Sequence, residues 1–350
     1  MKKSFKVLLN EIFADDNKWN YYVNSDIAIN NPFDCGHNAK EFIKNFIKLS
    51  GKSSSSNILY KKIDGLEDYR AIHIVSTFFF GIYIYENSNL FKSKISKELK
   101  KYQDKSKYHS NVEFAFVWFI CCLFHDLGYE FEDDKNPKHS CFYDFYKENN
   151  LKSLNRVVGV PKLYKNIHKD YFNYRAKKNK NDHGICGAYI LFKDLCKIRE
   201  DEEKLNNNGK LSWENELENV YNFASWIILS HNIWYANEWD KCAVECYNKE
   251  KLDELILKEK EYKISLDKYP FLFLFSLVDS IEPLKRIKDT QYLNEIFVEI
   301  NVNNIVIESN LDCGCHTDIL KQANGLNNWL TKTEIIDNKV IIDLIVENGK

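Results

Sequence analysis

The chain has 350 residues, of which 44% are apolar and 29% charged, a composition typical of folded globular proteins rather than disordered ones. Acidic and basic residues nearly cancel to a net charge of −2, which argues against a general nucleic-acid-binding protein, since such proteins usually carry a basic excess. The ten cysteines lie in a long chain whose start lacks a signal-peptide pattern, because the apolar residues Val7 to Leu9 are followed at once by Asn10 and Glu11. We therefore expect a cytoplasmic protein with free thiols.

The spacing of apolar residues predicts a mainly helical protein. Residues 1–60 are expected to form an N-terminal helical extension, and residues 61–290 are expected to form the main domain. The helices predicted in this domain run from Leu66 to Glu86, Asn111 to Leu127, His183 to Ile198, Trp213 to His231, and Phe271 to Ile287.

Two of these helices carry further signals. The second is apolar nearly all round and is expected to be a buried central helix, because its apolar run is shorter than the roughly 20 residues that span a bilayer. Asp182 is the predicted N-cap of the third helix. The polar segment from Arg199 to Lys210 is expected to be a surface loop.

After residue 290 the apolar period changes from that of a helix to that of a strand. Alternation from Ile296 to Glu308 predicts a hairpin around Asn303-Asn304, and a second hairpin is predicted from Thr333 to Val346 around Asp337-Asn338. A helix from Thr317 to Leu330 is expected between them. Residues 291–350 should therefore form a small α+β appendage on the helical body.

Five of the predicted helices carry a His or Asp flanked by apolar residues. Burying such groups without partners costs several kcal/mol, and a metal ion would supply one partner for all of them. The candidate ligands are His73, His125, Asp126, His183, His231 and Asp279. Neighbours on a helix point roughly 100° apart, so His125 and Asp126 can reach one site only near a helix end, which Gly128 offers.

The order and local context of these residues resemble the HD superfamily of metal-dependent phosphohydrolases. The pattern in that family is a His, a His-Asp pair, one or two further His and a final Asp, each from a different helix. The resemblance covers roughly residues 66–290 and implies an HD-type helical bundle. Two departures stand out: Tyr129 occupies a position where some branches carry a Lys, and Asn232 follows His231 where some branches carry a second His. The second departure argues against a third metal ion.

The resemblance implies a binuclear centre. The implied ligands of the first ion are His73, His125 and Asp279. Asp126 would bridge the two ions, and His183 and His231 would serve the second. Two ions about 3.5–4 Å apart can hold a hydroxide and clamp a phosphoryl oxygen, so Asp126 and His125 are the expected catalytic residues. Mixed imidazole and carboxylate ligation suits Mn, Fe, Co, Ni or Zn.

Several basic residues are candidates for binding substrate phosphate. Arg70 precedes His73 by three residues and should share its helix face, although pairing with Glu67 is equally open. Arg286 follows Asp279 by seven residues and would share its face if the helix continued through Pro283. A basic stretch before His183, which could also be a solvated surface, contains Lys169, Arg175, Lys177, Lys178 and Lys180.

Other cysteines and aromatic residues admit more than one interpretation. A four-ligand zinc site could be formed by Cys35-Gly36-His37 together with Cys313-Gly314-Cys315-His316, although the spacing matches no common zinc motif. Aromatic residues around His231 could stack a nucleobase or pack in the core, and these are Trp226, Trp234, Tyr235 and Trp239.

The expected activity is hydrolysis of a phosphoester or phosphoanhydride in a small-molecule nucleotide. The full ligand set favours cyclic mono- or dinucleotides, whereas Arg70-x-x-His73 resembles the triphosphohydrolases and favours deoxynucleoside triphosphates. A di-iron oxygenase resembling inositol oxygenase uses the same ligand pattern and remains an alternative. So does a catalytically inactive nucleotide-sensing module. The C-terminal appendage could serve partner contacts or homo-oligomerisation in any of these cases, and no membrane or nucleic-acid partner is expected.

Overall fold

The structure is a computed structural model, and it describes residues 2–20, 30–48, 56–102, 113–132, 139–151, 164, 167–205, 216–259, 261–287, 290–311 and 314–345. Within these residues the protein is mainly helical, with a small antiparallel sheet near the C-terminus. The helices are α1 (Phe5–Ala14), α2 (Gly36–Lys48), α3 (Asn57–Asp64), α4 (Asp68–Asn87), α5 (Asn89–Leu99), α6 (Phe114–His125), α7 (Phe142–Glu148), α8 (Ile167–Lys177), α9 (His183–Leu205), α10 (Glu216–His231), α11 (Lys241–Lys249), α12 (Pro270–Ile281), α13 (Leu284–Ile287) and α14 (Gly314–Gly325). The strands are β1 (Lys3–Ser4), β2 (Ala236–Asn237), β3 (Ile256–Leu257), β4 (Ile296–Ile300), β5 (Asn304–Ser309), β6 (Thr333–Ile336) and β7 (Lys339–Asp343).

The apolar helix α6 lies at the centre of the helical body, as predicted. Nearly all of its side chains are buried, and it packs against α4, α9 and α10. The Trp118 indole donates to the Phe78 carbonyl at 3.0 Å and so joins α6 to α4. Among the described residues one stretch, Phe114–Phe131, is long and apolar enough to cross a bilayer, but 78% of it is buried inside the protein. A core helix passes the same test.

The start of α9 agrees with the prediction and its end does not. Asp182 caps the helix, because its Oδ1 accepts a hydrogen bond from the Ile185 amide at 2.8 Å. The predicted loop from Arg199 is wrong as far as Leu205, where the helix continues, and residues 206–210 lie outside the described part. Arg199 is buried and forms a 2.6 Å ion pair with Glu218 on α10, so the polar composition here reflects pairing between helices rather than a loop.

Helix α12 ends at Ile281, although the apolar pattern predicted a helix as far as Ile287. Glu282 is extended, with φ −65° and ψ 118°, because the residue before a proline is disfavoured in the helical conformation. The short helix α13 then begins at Leu284 in a new direction. The helix that carries Asp279 therefore does not continue through Pro283 to Arg286, as a shared helix face would require.

Both predicted hairpins are present and belong to one five-stranded antiparallel sheet of order β1-β4-β5-β7-β6. Asp337 has a φ of 54° at the tight turn of the second hairpin, a conformation that Asp and Asn tolerate better than most residues. Helix α14 packs against this sheet. The edge strand β1 was not predicted, and it brings the N-terminus beside β4, where Lys3 pairs with Val298. The division of the chain at residues 60 and 290 stays a prediction.

One buried carboxyl group predicts how stability depends on pH. The Glu98 side chain accepts a hydrogen bond from the Phe271 amide at 2.9 Å where α12 begins. Burial raises the pKa of Glu98 from 4.5 to about 7, against the opposing effects of this hydrogen bond and of Lys101. The folded protein therefore binds more protons than the unfolded chain between these values, and stability falls as the pH rises through this window.

We expect Glu98→Gln to be more stable than the wild type at pH 8, by on the order of 2 kcal/mol, because the amide keeps the acceptor without the buried charge. Near pH 4 the two proteins should have similar stability. Thermal unfolding at both pH values checks this. A difference in melting temperature that is the same at pH 4 and pH 8 would contradict it.

Candidate metal centre

The structure brings all six predicted ligands to one region in the helical body. They come from α4 (His73), the end of α6 (His125 and the following Asp126), the start of α9 (His183), the end of α10 (His231) and the last turns of α12 (Asp279). The four imidazoles form a row, in which successive ring centroids are 5.3 Å apart from His73 to His125, 5.6 Å to His231 and 5.3 Å to His183.

The tightest group lies at one end of this row. Ligand atoms of the buried residues His73, His125 and Asp126 all lie within 4.8 Å of one another. Asp279 adjoins them, with its Oδ1 3.4 Å from His73 Nε2 and 3.5 Å from His125 Nε2. His183 and His231 extend the row at its other end, so the arrangement offers one compact site and one neighbouring pair of imidazoles.

Two of the imidazoles are oriented by their own helices. His125 Nδ1 lies 2.7 Å from the Cys122 carbonyl oxygen, and His231 Nδ1 lies 2.5 Å from the Ile228 carbonyl oxygen. A carbonyl oxygen only accepts hydrogen bonds, so Nδ1 must carry the hydrogen in both rings. Both carbonyls belong to the last helical turn, where backbone acceptors lack partners within the helix.

The other two imidazoles are oriented by buried glutamates. His73 Nδ1 donates to Glu282 Oε2 at 2.8 Å, and His183 Nδ1 donates to Glu132 Oε2 at 2.9 Å. In each ring Nε2 is therefore the nitrogen left to bind a metal ion. Metal-ligating histidines in proteins are commonly held in this way through their second nitrogen. The sequence analysis missed both glutamates, although each follows a predicted ligand closely.

The donor set passes a simple test of whether a cation fits. Asp126 Oδ1 is buried and has no hydrogen-bond partner among the residues that the structure describes. Its neighbour at 3.2 Å is His125 Nε2, which in the neutral ring has a lone pair rather than a hydrogen. Two acceptors that face each other in a buried place are costly unless a cation lies between them. A metal ion would satisfy both.

The charges around the site attract positive charge to the same place. Burial lowers the pKa of His73, but hydrogen bonds to Asp279 and Glu282 outweigh it and raise this pKa to about 9. Burial raises the pKa of Asp126, but His125 and His73 hold it well below its ordinary value. By contrast, burial and the adjacent His183 lower the pKa of His231 to about 3, so its ring stays neutral. The charges therefore favour a positive charge at the compact end of the row, either as a proton on His73 or as a metal ion.

An open cleft of about 560 Å³ leads to Asp126. Among its lining residues are Lys61, Arg70, Leu127 and Tyr129. The Arg70 guanidinium lies 3.9 Å from the Tyr129 ring centroid, and that ring stacks on His183 at 3.9 Å. Tyr129 thus links the cleft to the far imidazole pair.

Of the basic residues predicted as candidates for phosphate binding, Arg70 lies in this cleft. Its NH1 is 3.7 Å from Asp126 Oδ2 and its Nε is 3.4 Å from Glu67 Oε2, so the alternative pairing with Glu67 is also present. Arg175 is buried and pairs with Glu132 at 3.1 Å behind His183. Lys169 lies over the Phe142 ring at 5.9 Å. The side chain of Arg286 lies outside the described residues.

The remaining candidates take different positions. The basic stretch is engaged in pairs, in which Lys177 contacts Glu250, Lys178 contacts the Tyr174 hydroxyl, and Lys180 lies 3.4 Å from Glu132. Of the aromatic residues near His231, Trp226 is buried, whereas Trp234 and Trp239 are 59% and 68% exposed. For the possible zinc site, Cys35 is exposed, and the side chains of Cys313, Cys315 and His316 lie outside the described residues.

Comparison with known proteins finds no family model, no curated protein and no solved structure that matches this chain. The functional argument therefore depends on the site itself.

The buried carboxylate of Glu282 gives a first test of the centre. Besides His73, it accepts the Ser76 hydroxyl at 2.5 Å. Glu282→Gln keeps the size of the side chain but removes the charge that holds the His73 ring, so we expect affinity for Mn²⁺ to fall by about 10- to 100-fold. Isothermal titration of metal-depleted protein measures this. Ser76→Ala removes one bond to the same carboxylate without changing its charge and should lower the affinity much less. Equal affinities in the two variants would contradict the assigned role of Glu282.

Proposed function

We propose that this protein is a metal-dependent phosphohydrolase of the HD type that acts on a nucleotide. One observation carries the proposal: four imidazoles, each held through Nδ1, form a row of adjacent rings, and the carboxylates of Asp126 and Asp279 lie beside Nε2 of the two rings at one end of it. This arrangement has the ligand types and the orienting partners of a transition-metal centre.

The compact end of the row would hold one ion through His73, His125, Asp126 and Asp279. His183 and His231 would hold a second, with Asp126 between the two positions. A bound divalent ion polarises a phosphoryl oxygen and brings the pKa of a water towards about 7. The chain contributes the orientation of the rings, the ionised state of Asp126 and the removal of bulk water from the buried carboxylate.

The cleft supports a phosphorylated small molecule as the substrate. Its volume of about 560 Å³ falls within the usual range for ligand pockets, roughly 300–1,000 Å³. Arg70 at its inner end offers a planar guanidinium that suits a phosphoryl group, and the exposed Lys61 lies further out. A cytoplasmic location and free thiols suit this proposal, and the described cysteines form no disulfide.

The test begins with the metal content of the purified protein. The metal-loaded protein is then supplied with deoxynucleoside triphosphates and with cyclic mono- and dinucleotides, and release of phosphate, pyrophosphate or linear product is measured. Turnover that disappears with a chelator and returns with Mn²⁺ supports the proposal. Oxygen consumption with a mixed-valence di-iron signal would replace it with the oxygenase. Nucleotide binding without turnover under any metal would replace it with the sensing module.

A further inference from the structure

A lysine that the ligand pattern does not include lies inside the candidate metal centre. Lys285 Nζ is 2.6 Å from Asp279 Oδ1, and the Lys285 side chain is only 22% exposed. The same carboxylate oxygen lies 3.4 Å from His73 Nε2 and 3.5 Å from His125 Nε2. The ammonium therefore contacts the oxygen that faces the two imidazoles.

The position of Lys285 is set by the residue that orients His73. Glu282 Oε1 accepts the Leu284 amide and Glu282 Oε2 accepts the Lys285 amide, both at 2.9 Å, where α13 begins after the break at Pro283. The second of these oxygens also accepts from His73 Nδ1 at 2.8 Å. One buried carboxylate thus fixes both a candidate ligand and the backbone of the neighbouring cation.

The ammonium acts on the whole anionic group. Burial raises the pKa of Asp279, but Lys285 and the two imidazoles hold it well below its ordinary value. Lys285 also contributes to lowering the pKa of Asp126. Each carboxylate therefore has a cationic side chain beside it, Lys285 at Asp279 and Arg70 at Asp126.

We propose that Lys285 is a resident counter-ion that competes with the metal for Asp279 and so lowers the metal affinity of the compact site. This inference rests on the proposed function, because it concerns the same centre. A divalent ion that binds Asp279 Oδ1 must displace the ammonium or bind beside it, and two cations at one oxygen repel each other. The affinity of the compact site for a divalent ion is therefore lower than its ligands alone would give.

The experiment measures Mn²⁺ affinity by isothermal titration of metal-depleted protein. Lys285→Met keeps the length of the side chain without its charge. Because the competing cation is removed, we expect the Kd to fall by about tenfold, which corresponds to about 1.4 kcal/mol. Lys285→Arg keeps the charge and should remain close to the wild type. Lys40→Met is the matched control, because Lys40 is similarly buried and pairs with Asp68 at 3.0 Å outside the centre. Its Kd should not change.

A double-mutant cycle with Asp279→Asn shows whether Lys285 acts through that carboxylate. In the Asp279→Asn background, replacing Lys285 should improve affinity much less than it does in the wild type. An unchanged or weaker affinity of Lys285→Met, in a series whose wild type binds Mn²⁺, overturns this inference and leaves the proposed function standing. A wild type that binds none of Mn²⁺, Fe²⁺, Co²⁺, Ni²⁺ and Zn²⁺ overturns the proposed function, and this inference with it.

Discussion

Asp126→Asn is expected to abolish metal binding and turnover together while the protein stays folded. Asp126 is buried, its Oδ1 has no hydrogen-bond partner within the described part of the chain, and its Oδ2 lies 3.9 Å from His73 Nε2. Asparagine has nearly the same volume and can donate its amide hydrogen to an imidazole lone pair, so packing should survive. The anionic charge beside His73 and His125 is lost.

The loss should exceed the 10- to 100-fold that removing an outer partner of a metal ligand costs, because Asp126 is itself a candidate ligand. Bound metal is measured by elemental analysis, turnover by product release, and folding by circular dichroism. Asp194→Asn is the control, since Asp194 is also buried but is not one of the candidate ligands, and it accepts from Lys62 in the wall of the cleft at 2.8 Å. That variant should keep its metal. Wild-type metal content in Asp126→Asn would refute the ligand assignment.

Gly128→Ala is expected to destabilise the protein more than any surface change. Helix α6 ends at His125, and the chain tightens into a 3-10 helix, Leu127–Phe131, which lies directly against α9. A Cβ at position 128 would lie 1.9 Å from the His183 carbonyl oxygen and 2.7 Å from the Gly187 amide nitrogen. Both are backbone atoms of a helix and cannot turn aside as a side chain would.

We expect a loss of at least about 3 kcal/mol, the upper end of the usual cost of overpacking, and a Tm lower by on the order of 5 °C. Because the overlap is with His183 itself, metal affinity should fall as well. Gly325→Ala is the control: an added Cβ there meets nothing within 4 Å. Thermal unfolding of both variants checks this, and equal melting temperatures would mean that the close approach of the two segments is not required.

Gly128 also shows that the helix end was predicted correctly but that the role of the glycine was only partly understood. The sequence indicated a helix end near Gly128, so that His125 and Asp126 could face one site. The end is there, but Asp126 keeps a helical backbone, with φ −93° and ψ −13°, and the glycine is needed because α9 approaches it closely. The end of a helix can be predicted from residues next to it in the sequence, whereas the close approach of another helix depends on residues far away in the chain.

The two glutamates that orient His73 and His183 were not predicted, for a related reason. Glu282 and His73 are 209 positions apart, and Glu132 and His183 are 51 apart. Neither contact can be read from neighbouring residues, because each glutamate meets its histidine only through the packing of separate segments. Arg175, a predicted candidate for phosphate binding, is buried and pairs with Glu132, since a buried arginine needs a carboxylate.

The sequence by itself determined the helical body, the two C-terminal hairpins and the identity of the imidazole and carboxylate side chains that approach one another. These follow from apolar periodicity and chemical type, which are properties of short segments. Only the tertiary structure decided which ring nitrogen faces the site, which acids hold the rings and that Lys285 contacts Asp279. Those choices depend on distances of a few ångströms between helices, and such distances are set by side-chain packing across the whole core rather than by any one segment.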